Sequence, residues 1–208
     1  MSATMTIPEV WHVPREWTGR CFVIAGGESV QAQRHLVPRL VGPIIAIKEA
    51  VLLRPDADVL FLGGEATDAL VKNLIPKFRG RYMVARGKFP ATFPASVKRL
   101  TRTKIHTALC DTPGQVAGYD SGTSAINLAY QFGATEIVVL GMDMCGSRWF
   151  KDEWPHPLMQ IPADHFRTHL GPLPELAADA RRKGIRIVNV SPISKIDCFE
   201  RQSLESFL

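Results

Sequence analysis

The segment 119–144 reads YDSGTSAINLAYQFGATEIVVLGMDM, and it sets one helix directly before one strand. Ser121 reads as the N-cap, Gly122 opens the first turn, and Ala125, Leu128, Ala129 and Phe132 recur at the spacing of a single buried helix face. The run EIVVL (136–140) that follows is continuously apolar and rich in β-branched residues, the mark of a strand covered on both faces. A helix feeding a doubly covered strand is the repeating unit of a parallel α/β sheet.

Working outward, the same kind of run returns as CFVIA (21–25), PIIAI (43–47), DVLFL (58–62), RYMVA (81–85) and IRIVNV (185–190). Helical stretches are expected over 66–75 and 173–183. The latter has Leu173, Leu176 and Ala180 on one face and ends in RRKG, whose cations suit a helix C-terminus and whose Gly184 can cap it. The expected fold is α/β: a doubly wound, mostly parallel sheet with helices on both faces, Rossmann-like, with crevices at the carboxyl ends of its strands. A chain of 208 residues suits one domain spanning 1–208. Within it, the prolines, lysines and threonines of 87–118 read as a connection or a small insertion around one strand at 104–109.

With 25 basic and 20 acidic residues, the formal charge is +5, a balance that suits an anionic ligand without specifying nucleic acid. Cys21, Cys110, Cys145 and Cys198 lie far apart with no C-x-x-C pair, which points to reduced thiols rather than a zinc site or a disulfide framework. The N-terminal stretch lacks a continuous apolar segment and contains Pro8 and Pro14, so neither a signal peptide nor a membrane span is expected. A cytoplasmic protein follows, with no feature that fixes an oligomeric number.

Four polar clusters fall at strand ends. The first, AGGES (25–29), lacks the G-x-G-x-x-G and G-K-[ST] spacings of nucleotide fingerprints. Gly26 and Gly27 bring bare main chain toward a ligand and Ser29 can donate to a phosphate, or the turn is simply structural. In the second, Ser121, Gly122 and Thr123 make a small-residue helix start, Asn127 reaches a ligand or faces solvent, and Asp143 ends the strand as a site carboxylate or a loop cap. The loop after it, CGSRWFKDEWPHP (145–157), offers Arg148, Trp149 and His156 to stack on a ring and contact an anion. The third cluster, DHFRTHL (164–170), places His165 and His169 four apart. Without the glutamate of H-E-x-x-H, acid–base work suits them better than a metal. In the fourth, NVSPISKIDCF (189–199), Ser191 and Ser194 either close over a phosphate or sugar or make a plain turn.

Taken in this order, the clusters resemble a family. FVIAGGESV is similar to the opening strand-G-x-G-P-S-L of the small bacterial sialyltransferases and of the related domain in archaeal 6-hydroxymethylpterin diphosphokinases. SGTSAINLAYQFGATEIVVLGMDM resembles their Ser-Gly helix and following strand, and GIRIVNVSPISKI resembles their closing strand and Ser-Pro turn. Phage and prophage members share the WF…HP loop. The resemblance implies a nucleotide-binding enzyme in which Gly26, Gly27, Ser29, Ser121, Gly122 and Thr123 line the donor site and Ser191 and Ser194 border it. His165 or His169 is then the base that deprotonates the acceptor.

The departures concern charge. Glu28 stands in place of the family's proline, Lys48 in place of a common asparagine, and Glu65 where phage members carry aspartate. Lys48 brings a cation toward the crevice, compatible with more phosphate than a monophosphate carries. The leading expectation is glycosyl transfer from a nucleotide sugar to a hydroxyl, with modified DNA or a glycan as acceptor and no cofactor required. The alternatives are Mg²⁺-dependent pyrophosphoryl transfer from ATP, with Asp143, Glu65 or Glu28 holding the metal, and a non-catalytic nucleotide-binding phage protein.

Overall fold

The sheet order is β6-β5-β4-β3-β2-β1-β7-β8-β9, with every neighbouring pair parallel. The strands are β1 (Arg20–Ile24), β2 (Ile44–Ile47), β3 (Val59–Gly63), β4 (Tyr82–Arg86), β5 (Lys98–Arg102), β6 (Gln115–Val116), β7 (Glu136–Leu140), β8 (Arg186–Asn189) and β9 (Glu200–Arg201). The α-helices are α1 (Val30–Gln33), α2 (Ser121–Phe132), α3 (His165–Leu170) and α4 (Leu173–Arg182). These come from a computed structural model that describes residues 11–63, 72–87, 93–150 and 165–208, with only the backbone of His165. Among the described residues no helix is long and apolar enough to cross a membrane.

Because side chains alternate across a strand, β1 serves two cores at once. Cys21 and Val23 face the layer made by α2 and α4, where Ile126, Phe132, Leu176 and Ala180 are buried. Phe22 and Ile24 face the other layer, built from α1 and short 3-10 turns around Val37 and Val51 and closed by Leu204 and Phe207. Burial of this kind contributes roughly 1.5–3 kcal/mol per large side chain, which is why doubly apolar runs marked the central strands. Phe132 also stacks on Trp17 with centroids 4.0 Å apart, pinning the end of α2 to the segment that leads into β1.

The 87–118 region differs from the expectation. No strand forms at 104–109; instead β5 and β6 extend the same sheet at its edge. β5 buries only Leu100 among exposed Lys98, Arg99, Thr101 and Arg102, so it lacks the apolar run that betrays an interior strand. At 103–105 a hydroxyl turn forms, in which Ile105 N donates to Thr103 Oγ1 at 2.7 Å. The helix expected over 66–75 is described only at its end, where 72–74 are helical and Ile75–Lys77 is a 3-10 turn.

Candidate functional site

Strand order reverses between β1 and β7, and a doubly wound sheet opens its crevice at such a point. Here the turn after β1 meets the turn after β7. Gly27 N donates to Gly141 O at 2.9 Å, and a Cβ on Gly27 would lie 2.5 Å from that oxygen and 2.6 Å from Asp143 Oδ2. Gly27 is therefore required by the contact between two turns. Its N–H is already engaged, so Gly27 is not one of the bare backbone donors expected there.

The hydroxyls read as ligand donors are structural too. Ser29 gives both its N–H and its Oγ to Asp143, at 2.8 and 2.6 Å. Ser191 Oγ accepts from Gly141 N at 2.8 Å and Met142 N at 3.2 Å, and Ser194 Oγ donates to Met142 O at 2.7 Å. All three serines are buried, and together they brace the turn after β7 instead of bordering a ligand. Asn127, 0% exposed, accepts from Ala117 N at 2.6 Å and donates to Cys110 O at 3.2 Å.

The cap of α2 is Asp120, one residue before the expected Ser121. Asp120 Oδ1 accepts from Thr123 N at 3.0 Å, while Thr123 Oγ1 accepts from Asp120 N at 3.1 Å. Thr123 is buried in this capping box and is removed from the ligand-facing set. Ser121 becomes the first helical residue, and Gly122 lies against Met142, whose Cε would be 2.8 Å from an added Cβ.

Between these elements lies a cavity of about 400 Å³, a size that suits a small-molecule ligand. Of the residues singled out in the sequence, Gly26, Gly27, Lys48, Ser121, Gly122, Asp143, Arg148 and His169 line it. The two glycine-bearing helix entries thus share one space. Trp149 does not face it: the indole is buried on the α1 side of the sheet, edge-on to Phe150 at 5.4 Å. The 148–150 stretch runs antiparallel along the β1 turn through a Gly27–Arg148 bridge and a Trp149 N to Gly26 O bond of 3.3 Å. Glu65, His156 and the side chain of His165 lie outside the described residues.

Lys48, Arg86, Arg102 and Arg148 supply four cations to the lining, against the carboxylates Glu49, Asp120 and Asp143. Lys48 has φ +49°, a left-handed conformation uncommon for a non-glycine residue. Burial holds its ammonium below the usual lysine value, Glu49 opposes this, and Arg148 and Arg86 add to it. Burial likewise lowers Arg148, with Glu49 and Asp120 opposing. Arg86, 4% exposed, is pushed down to about 10 by burial and by Arg102, and it donates to Gly118 O at 2.9 Å and Ser124 Oγ at 2.5 Å. Asp143, 2% exposed, is raised by burial against the lowering effect of the Ser29 bonds.

At the other side of the cavity Tyr119 is flanked by rings and a cation. His169 tilts against it at 5.2 Å, His106 meets it edge-on at 5.6 Å, and the Arg102 guanidinium lies 5.3 Å over its face. Glu49, Arg86, Arg102, Tyr119 and Asp120 escaped the sequence reading. One signal for Arg86 was present: a lone cation immediately following the apolar run 81–85.

Among the described residues no group of three or more His, Cys, Asp or Glu side chains is placed to hold a metal ion. Asp143 accepts at both oxygens from Ser29, Glu28 accepts from Ser147 N at 2.9 Å, and Glu65 lies outside the described residues. Compared with protein-family models and with curated proteins, the chain matches none.

Proposed function

We propose that this chain is a glycosyltransferase-like enzyme of the cytoplasm, or of the host cytoplasm if phage-encoded, that binds a nucleotide or nucleotide sugar in the β1/β7 cavity. It passes the sugar to a hydroxyl acceptor. The observation that carries this reading is the convergence, in one cavity at the strand-order reversal, of the Gly26–Gly27 turn, the start of α2 and a surplus of cations. A ligand with an anionic part and a neutral part fits such a lining.

In this reading His169 is the base. Its imidazole takes the proton of the acceptor hydroxyl, the freed oxygen bonds the anomeric carbon, and the bond from that carbon to the phosphate oxygen breaks. The departing phosphate keeps the electron pair, and Lys48, Arg86 and Arg148 stabilise its charge. The acceptor hydroxyl belongs to modified DNA or to a glycan.

Thermal-shift titration with CMP, CDP, UMP, UDP, ATP and their sugar derivatives, with and without magnesium, tests the reading. Metal-independent stabilisation by a pyrimidine nucleotide or its sugar is the expected result. Stabilisation by ATP only in the presence of magnesium would replace it with pyrophosphoryl transfer.

A further inference from the structure

We infer that the anion subsite of this cavity is a side-chain fork, Lys48 and Arg148, built for two linked phosphates, so that its ligand is a nucleoside diphosphate compound. This rests on the nucleotide reading above and narrows it.

Three backbone donors near the cavity are already engaged. The Gly27 N–H is given to Gly141 O, and at the start of α2 the Thr123 and Ser124 N–H groups are given to Asp120. Asp120 also sets a carboxylate at that helix start, where it repels an approaching phosphate. Side chains add to the donors that remain at the first turn of α2.

Two cations stand ready. Among the described residues, neither the Lys48 ammonium nor the Arg148 guanidinium has a hydrogen bond, or an ion pair within 4.0 Å. They come from opposite banks of the crevice: Lys48 follows β2, Arg148 follows β7, and β1 with its Gly26–Gly27 turn lies between those strands. A diphosphate offers an anionic group to each.

The backbone of Lys48 adds an independent argument. At φ +49° a glycine would sit without strain, whereas a side chain there costs roughly 1 kcal/mol. Strain at a cavity rim is retained where the side chain has work to do, and an unpaired cation entering the cavity is that work. The buried Glu49 acts electrostatically on both cations without closing an ion pair within 4.0 Å on either.

The test is calorimetric binding, without added metal and at fixed ionic strength, of CMP against CDP, UMP against UDP, AMP against ADP, and inorganic phosphate against pyrophosphate. For the unaltered protein the diphosphate of at least one base should bind about 10-fold or more tightly than its monophosphate. Lys48→Gly and Arg148→Gln should each bring that ratio close to one. Lys48→Gly should also melt at or above the parent temperature, because glycine adopts the left-handed conformation freely, so its loss of binding cannot be ascribed to misfolding. Equal affinity for mono- and diphosphates in the parent protein, or a ratio retained in both variants, overturns the fork. A pyrophosphate preference that depends on Lys48, with no nucleotide bound, upholds the fork and overturns the nucleoside reading.

Discussion

Ser29 and Asp143 are joined by two hydrogen bonds across the strand-order reversal, the serine N–H and hydroxyl each reaching a different carboxylate oxygen at 2.8 and 2.6 Å. This pair fastens the turn after β1 to the turn after β7 and so holds both walls of the cavity. Asp143→Asn keeps the shape while offering one acceptor to two donors. It should lower stability by about 1–3 kcal/mol in urea denaturation.

The same carboxyl gives a pH signature. Burial raises Asp143 above its ordinary value despite the bonds from Ser29. A carboxyl whose folded value exceeds its unfolded one takes up protons on folding. Its contribution is full below the unfolded value, about 3.9, and is lost as pH rises through the folded value. Melting temperatures taken upward from pH 4 should show a descending component that disappears in Asp143→Asn; an unchanged profile in the variant would assign the slope elsewhere.

Two glycines at the site should respond differently to alanine. In Gly27→Ala the new methyl meets backbone Gly141 O at 2.5 Å, which cannot move without parting β1 from β7, and a loss of about 2–3 kcal/mol is expected. In Gly122→Ala it meets Met142 Cε at 2.8 Å, the flexible end of a side chain, while alanine gains about 1 kcal/mol of helix propensity. The second variant should unfold within about 1 kcal/mol of the parent.

Asn127 clamps the 110–117 segment onto α2 through Ala117 N and Cys110 O. Asn127→Ala leaves the Ala117 N–H buried without a partner, while Cys110 O keeps the bond from Gln131 Nε2 at 2.8 Å, and should cost about 1–3 kcal/mol. Hydrogen exchange at the Ala117 amide should accelerate more than global unfolding alone accounts for.

If His169 is the base, His169→Gln should cut transfer by about 10²–10⁴-fold and leave nucleotide affinity nearly unchanged in calorimetry. An equal loss in His165→Gln with a small effect in His169→Gln would move the base to the earlier residue.

The strands that announced themselves were those buried on both faces: β1, β2, β3, β4, β7 and β8 each follow an apolar run, and α2 and α4 follow a one-sided spacing. β5 and β6 were illegible because an edge strand such as Lys98–Arg102, with Leu100 alone inside, carries no such run. At the site, small hydroxyls misled. Ser29, Ser191 and Ser194 occupy the strand ends where ligand donors are sought, yet sequence cannot distinguish a hydroxyl that meets a ligand from one that satisfies the neighbouring turn. Trp149 misled for the opposite reason, since an aromatic next to a cation reads as a stacking platform while here it fills the core. Tyr119, which does line the cavity, carries no local signal.

The two strands that frame the cleft pair Arg20 with Glu136, partners brought together from distant parts of the chain. Six strands can form on one side before the seventh arrives, and closing so long a loop is among the slower events of folding. A nascent or truncated chain ending before β7 carries the Gly26–Gly27 turn yet has no opposite wall for it. Ligand capture is thereby a report that the late half of the polypeptide has docked on the early half, and any molecule held there acts as a clasp on the assembled whole.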